Sequence, residues 1–541
     1  MILATLLLTA LSPAAGASSS GTLDSVLIDR RDVFDPSVPG EDSWMFRTAN
    51  RLHVRTREAV VRRDLLLGPG DAWDPLEALE TERNLRSLPF LREAELSRQG
   101  SALSVRTRDS WTLLPRVSIG TEGGDTSFGY GIEERNLLGF GKTVKLAHSK
   151  SEGETRDEAR YYDPRLLGTW WNLDGFYADV EGGREKGARL RRPFFSLRTA
   201  AAADSSWANT ARDDVLRQGA LETSRFSHAF RGFQANLGGR VVGHGTLTHR
   251  ALVGAAYERH RFSALHDTAP GTLPPDRTLA GPWAGYELLQ ADYRKETEID
   301  TTQRVEDFNL GNELFLKTGP ALRSWGSGRD LWLLSAVDRH GLPLGEGRFA
   351  LAQAGATARL SRTGAENGVF FASLNLFCKL RAPSRQTLVA HLEFNDSRRL
   401  DGERQFILGG ATGLRGYKND SFTGTRAVLA NVEDRFFLDR DFLHLFYLGG
   451  VVFLDSGSVA PDWRFKTDVG LGLRVSPSRS ASGRVLRADV AYALQDGPGP
   501  DRWVVSLQAG QAFSIGGSAN RRALARPDEG LAVDEEDFLR R

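Results

Sequence analysis

The chain has 541 residues, 40% of them hydrophobic, with a formal net charge of +1 and a mean hydropathy of −0.34. A near-neutral chain gives no reason to propose nucleic acid as a partner, and the single cysteine, Cys378, excludes an internal disulfide framework and a Cys-based zinc site. No stretch approaches about 18 uninterrupted apolar residues, so no membrane-spanning helix is expected.

In chain order, residues 1–17 run through Ile2, Leu3, Leu6, Leu7, Leu8 and Leu11 to Ala15-Gly16-Ala17. An apolar run before an Ala-x-Ala pattern predicts a signal peptide cut after Ala17. Export leaves three fates: a periplasmic protein, a secreted one, or a membrane barrel.

Residues 22–110 carry a compact α/β pattern. Val26, Ile28 and Val33 predict an opening strand, and Thr56 is placed to cap a helix carrying Val60, Val61, Leu65 and Leu66. Gly68-Pro69-Gly70 breaks the chain. Asp74 as N-cap, Pro75 at the first helical position and Glu77 as capping-box partner predict a second helix. Two short strands, Ala94 to Arg98 and Leu103 to Thr107, turn at Gln99-Gly100. This β-α-α-β-β order, with Thr56-Arg57-Glu58-Ala59-Val60-Val61-Arg62-Arg63 and Glu82-Arg83-Asn84-Leu85-Arg86, resembles a POTRA domain. The resemblance implies that extended client chains add a strand at its sheet edge, where unpaired backbone groups grip with little regard to sequence. A plain spacer domain is the other reading.

From Trp111 the apolar pattern has period two. Ala372, Leu374, Leu376, Cys378 and Leu380 alternate with Ser373, Asn375 and Lys379; Leu388, Ala390, Leu392 and Phe394 alternate with His391 and Glu393. The same holds for Val469, Leu471, Leu473 and Val475, and for Leu486, Ala488, Val490 and Tyr492. A sandwich would bury such a face and a transmembrane barrel would turn it to lipid; periodicity alone leaves both open. Export and the absence of linkers favour a barrel at 111–517, where roughly 400 residues suffice for about sixteen antiparallel strands. Cys378 is then a small lipid-facing or packing residue.

Three motifs in the barrel resemble the BamA/TamA superfamily of outer-membrane barrels, in the expected order. Glu134-Arg135-Asn136-Leu137-Leu138-Gly139-Phe140-Gly141 is similar to that family's Asn-Leu-x-Gly-x-Gly periplasmic turn. Gly141-Lys142-Thr143 is no P-loop, because that motif needs Gly where Asn136 stands. Gly409-Gly410-Ala411-Thr412-Gly413-Leu414-Arg415-Gly416-Tyr417 resembles the family's sixth-loop motif. The resemblance implies a loop folded back into the barrel, with its arginine locked to lumenal carboxylates. The matching positions are Arg415, Gly416 and Tyr417 on the loop, Glu433, and Asp455 with Gly457 in Phe453-Leu454-Asp455-Ser456-Gly457. Strand parity supports Glu433 independently: Val428, Ala430 and Val432 form the apolar face, so Glu433 points into the lumen. A guanidinium bridges two carboxylates with a fixed geometry that lysine cannot supply.

Trp503 to Phe513 reads as the last strand, and Gln508, Gly510 and Phe513 resemble the barrel-assembly signal, with Ile515 in the final aromatic slot. A charged segment, 518–541, follows as an expected disordered tail. No Gly-x-Ser-x-Gly elbow, His-Glu-x-x-His or Rossmann pattern occurs, and His244 and His249 are too isolated to propose a metal site. The expectation is a non-enzymatic, cofactor-free fold: a mainly β, sixteen-stranded transmembrane barrel after one POTRA domain, in the bacterial outer membrane with the POTRA domain in the periplasm. It would assist insertion of outer-membrane proteins or translocation of a polypeptide. Its partners would be lipid, an unfolded client met by the POTRA edge and the barrel seam, and a periplasmic or lipoprotein accessory. The alternative is a passive surface-antigen or pore barrel.

Overall fold

A computed structural model describes residues 21–122, 125–151, 154–380, 385–482, 485–499 and 501–509. The expected signal peptide, the tail at 518–541, and Gly510 and Phe513 lie outside the described residues.

The first unit comprises β1 (Ser25–Arg31), α1 (Trp44–Leu52), α2 (Glu58–Arg63), α3 (Pro75–Ser87), β2 (Leu91–Gln99) and β3 (Ala102–Asp109). The sheet order is β1-β3-β2, with β1 parallel and β2 antiparallel to β3. Val60, Val61, Leu85, Phe90, Leu91, Leu103 and Val105 form its core. The Asp74 cap is as expected: its carboxylate accepts from the Leu76 and Glu77 amides, with Pro75 at the first position of α3.

Several local expectations are corrected. Thr56 caps nothing, since α2 starts at Glu58 after Arg57. It is buried instead, and its amide and hydroxyl donate to Asp109 Oδ2 at 2.7 and 3.0 Å. Leu65 and Leu66 lie beyond α2, Val33 lies beyond β1, and α1 is an unforeseen helix. Glu77 turns outward to accept from Arg198 Nη1 at 2.8 Å.

Among the described residues, twenty further strands close into one antiparallel barrel, from Leu113–Glu122 to Trp503–Ala509, and four short ones form two separate hairpins. The sixteen-strand expectation is therefore corrected. It gave every strand an even share of the chain, whereas six strands fit within residues 113–192. Their sequences, such as ETRDEARYYD and GREKGARLRR, carry little apolar alternation to reveal them.

Elsewhere the alternation reads correctly. Val432, Leu454, Leu471 and Leu473 stand exposed on the outer face, while Asn431, Glu433, Asp455 and Asp468 are buried inside. Cys378 shares the outward parity of Leu376. The lumen is thus packed with polar groups and the outside is apolar, as a lipid-facing barrel requires. Among the described residues no helix is long and apolar enough to cross a membrane.

The α/β unit docks on one mouth of the barrel, called the near mouth below. The Asn136 turn makes the first contact: Asn136 Nδ2 donates to Thr56 Oγ1 at 2.9 Å, and the Arg57 amide donates to the Gly139 carbonyl at 3.0 Å. Gly139 and Gly141 have φ of +77° and +71°, and a Cβ on Gly141 would lie 2.8 Å from the Phe90 ring. Only glycine accepts both that backbone and that approach. Arg165 pairs with Asp64, Arg198 with Asp74 and Glu77, and Arg479 with Glu41.

Candidate functional site

Loop 399–425 enters the lumen from the far mouth. Its short strands Phe406–Leu408 and Phe422–Gly424 pair with each other, and Phe406, Leu408, Leu414 and Tyr417 pack on Ala427, Leu429 and Ala493 of the barrel wall. This apolar anchor delivers Arg415 to the middle of the lumen, where it is buried.

Arg415 makes the two-carboxylate clamp expected of it. Its Nε and Nη2 donate to Asp455 Oδ2 and Oδ1, each at 2.7 Å, and Nη1 donates to Glu433 Oε1 at 2.6 Å. The guanidinium carbon lies 3.5 Å from the centre of the Phe453 ring. Burial works against the charge of Arg415, and Asp455 and Glu433 more than offset it, so its affinity for the proton is raised. The clamp is bidentate toward Asp455, which fixes orientation as well as charge.

The neighbouring positions explain the rest of the motif. A Cβ on Gly416 would come within 2.4 Å of Asp468 Cβ, so only glycine lets the loop pass the wall there. Gly413 has φ of +109°. The Tyr417 hydroxyl reaches the Thr467 and Gln495 carbonyls at 3.1 and 3.2 Å, tying the loop to the last strands. Gly457 leaves 3.0 Å between a would-be Cβ and the Val428 carbonyl, space that the loop's Leu408 and Leu414 approach. All six expected lock residues therefore meet at one place.

Three participants escaped the sequence reading. Asn431 stands opposite Asp455 across the strand pair, and its Nδ2 donates to Asp455 Oδ1 at 2.7 Å and the Gly413 carbonyl at 2.8 Å. Arg435 donates from Nε to Glu433 Oε2 at 2.8 Å, and from Nη1 to the Ile299 carbonyl and Asp300 Oδ1 at 2.8 and 2.9 Å. Ile299 and Asp300 belong to the third, residues 291–311, a connection at the near mouth. It folds into a hairpin of Tyr293–Glu296 against Glu306–Asn309.

That hairpin crosses the near mouth. Ile299 packs with Phe349, Phe377 and Val389 of the lumen wall. Thr387 Oγ1 donates to the Glu298 carbonyl at 2.7 Å, and Arg385 pairs with Glu298 at 2.9 Å. On its other side, Arg86 of α3 grips both oxygens of Asp307, at 2.6 and 3.0 Å. Arg83 lies 3.8 Å over the Tyr293 ring, and Lys295 pairs with Glu82. One chain of polar contacts thus runs from the far-mouth loop through Glu433 and Arg435 to the hairpin and α3.

The barrel seam is the second candidate feature. Among the described residues, the last strand meets the first at Leu507 and Thr121, and Thr121 Oγ1 donates to the Val505 carbonyl at 2.5 Å. Gln508 lies on the last strand, where its side-chain oxygen accepts from Arg487 at 3.2 Å. Among the described residues no group of three or more His, Cys, Asp or Glu side chains is placed to hold a metal ion.

No family model matches the chain. No curated protein matches it either. Among solved structures it is similar to BamA from Haemophilus ducreyi lacking POTRA domains 1–3, with 13% identity, 90% of this chain and 84% of that chain covered, and a TM-score of 0.36. It is also similar to CdiB from Acinetobacter baumannii, with 11% identity, 90% and 73% coverage and a TM-score of 0.46. CdiB from Escherichia coli gives 12% identity, 90% and 76% coverage and a TM-score of 0.45.

Proposed function

We propose that the chain is an outer-membrane barrel of the BamA/TamA type, which assists the insertion of other membrane barrels or the passage of a polypeptide. The observation that carries the reading is a closed antiparallel barrel whose lumen holds loop 399–425 through Arg415 on Asp455 and Glu433. Among the described residues, the first and last strands meet at Leu507 and Thr121. In this reading the seam between first and last strands opens to offer its edges as a template for an incoming chain, and no catalytic step is needed because the client's own pairing and burial supply the energy.

The POTRA-like α/β unit faces the periplasm in this reading and presents β1 and β2 as its sheet edges to an extended client. The lumen does not favour the passive-pore alternative: loop 399–425 fills it from the far side and hairpin 291–311 crosses it from the near side.

The test is depletion of the protein in cells, followed by quantification of other outer-membrane barrels. Their levels fall if the reading is right. Unchanged levels, together with steady bilayer conductance indifferent to unfolded client, assign the chain to the passive class. Heat-modifiable gel mobility checks the barrel itself, and a protein that stays soluble without detergent overturns it.

A further inference from the structure

The outer face of the barrel carries a row of basic side chains along one line of register partners. Lys186 is register partner to Asn209, Asn209 to Arg231, and Arg231 to Arg259. One step farther from the near mouth, Arg261 stands opposite Ala229. One step closer, Trp207 pairs with Phe233 and Phe233 with Tyr257, and all three rings are exposed. Beneath these rings Leu237 and Val253, 63% and 60% exposed, continue an apolar face. His249 and Tyr286, hydrogen-bonded at 2.6 Å, stand near its opposite end. An apolar band bordered by aromatic rings is the lipid-facing surface of a membrane barrel.

The basic row therefore lies two residues beyond the upper aromatic row. That is about 6.7 Å along the strand, and roughly 5 Å along the membrane normal once strand tilt is allowed for. This is headgroup depth.

Arginines directly opposite one another on a sheet repel at a Cβ separation of about 4.5–5.5 Å. Inside the barrel such charges are answered: Arg189 by Asp204, Arg250 by Glu287, Arg277 by Glu403. On the outer face, among the described residues, Lys186, Arg231, Arg259 and Arg261 have no ion pair or hydrogen bond to a carboxylate. The outward acids in the neighbourhood lie elsewhere: Asp179 near Arg184, and Asp213 near Arg225.

We infer that Lys186, Arg231, Arg259 and Arg261 form a binding site for the phosphate groups of an anionic glycolipid in the far leaflet. The inference rests on the outer-membrane reading above, which places the near mouth in the periplasm. Planar guanidinium forks bind phosphate oxygens bidentately, and the rings beneath offer a platform at the boundary of headgroup and acyl chain. A lipid with two phosphates meets the repulsion between Arg231 and Arg259 with charge of the required sign, at the required depth.

The test reconstitutes the full chain into phosphatidylcholine nanodiscs containing either a diphosphorylated glycolipid (lipid A) or its dephosphorylated form. Native mass spectrometry then counts the lipid retained. The wild type keeps the phosphorylated form preferentially, and the double variant Arg231→Gln/Arg259→Gln loses about tenfold of that retention, the scale of one charge-assisted contact. Arg231→Lys/Arg259→Lys keeps the charge without the fork, retains an amount between the wild type and the Gln pair, and guards against a folding defect, with heat-modifiable mobility read on every variant.

Equal retention of the two lipids by a heat-modifiable wild type overturns the site and leaves the barrel reading standing. Equal protection by inorganic phosphate in detergent, or capture of polyglutamate in place of the lipid, overturns the lipid assignment. A chain that never enters nanodiscs overturns both.

Discussion

Arg415 and Arg435 are joined by one carboxylate: Glu433 gives Oε1 to the first and Oε2 to the second. The far-mouth loop and the near-mouth hairpin are therefore held by the two oxygens of a single buried side chain. Arg435→Ala removes the hairpin's polar anchor at Ile299 and Asp300 while leaving the Arg415 clamp its full bond to Asp455. The expected result is faster protease cleavage within residues 291–311 and a rise in bilayer conductance, with little change in cleavage of loop 399–425. Unchanged hairpin cleavage would show that Phe349, Phe377 and Val389 hold Ile299 without help.

The clamp makes a stronger demand. Arg415→Ala leaves Asp455 and Glu433 buried without their shared cation, Glu433 keeping Arg435 alone, at a cost of about 3–5 kcal/mol in a dry site. Water entering the lumen lowers that figure. Loop 399–425 should become protease-sensitive, and the melting temperature read by heat-modifiable mobility should fall. Exchanging the charges in Arg415→Asp/Asp455→Arg should recover part of the loss. An Arg415→Ala protein with wild-type protease resistance and melting would remove the clamp from any structural role.

Much of this site was legible because strand parity is a strict rule. Val428, Ala430 and Val432 mark the lipid side, so Asn431, Glu433 and Arg435 must share the lumen. Residues Asn431 and Arg435 could have been found by carrying that rule two residues either way from Glu433. The hairpin could not. Its strands are four residues long, and its charges are answered by Arg86, Lys379 and Arg385, which lie far away in sequence. The six short strands before residue 193 were hidden for a related reason. Phe128, Tyr130 and Ile132 keep an apolar period in one of them, but others carry cross-strand ion pairs such as Lys145 with Glu158 and Arg160 with Asp174, which weaken it.

The Asn136 turn reads as a docking element for the α/β unit. Gly141→Ala must take a left-handed backbone, at roughly 1–2 kcal/mol, and also displace Phe90 from the unit's core. Hydrogen exchange should accelerate in α3 and β2 while the barrel's melting temperature stays within a few degrees of the wild type. Equal loss of protection in barrel and α/β unit would mean that the turn stabilises the wall and docks nothing.

Hairpin docking should also depend on pH through Glu306. Burial, followed by the negative charge of Asp300, pushes its carboxyl from the ordinary 4.5 up to about 8, even though the Asp300 amide donates to it. The docked hairpin therefore binds a proton that the released hairpin gives up. By linkage, this contribution is fully present below about pH 4.5 and is lost as the pH rises through about 8. Hydrogen exchange at Ile299, Asp300 and Thr301 should accelerate across that window beyond the intrinsic dependence of exchange on pH. Glu306→Gln keeps an acceptor for the amides and cannot ionise, so its corrected exchange should be flat across the same range. An equal slope in Glu306→Gln would pass the dependence to Asp300, whose carboxyl is also raised by burial and held against Arg435.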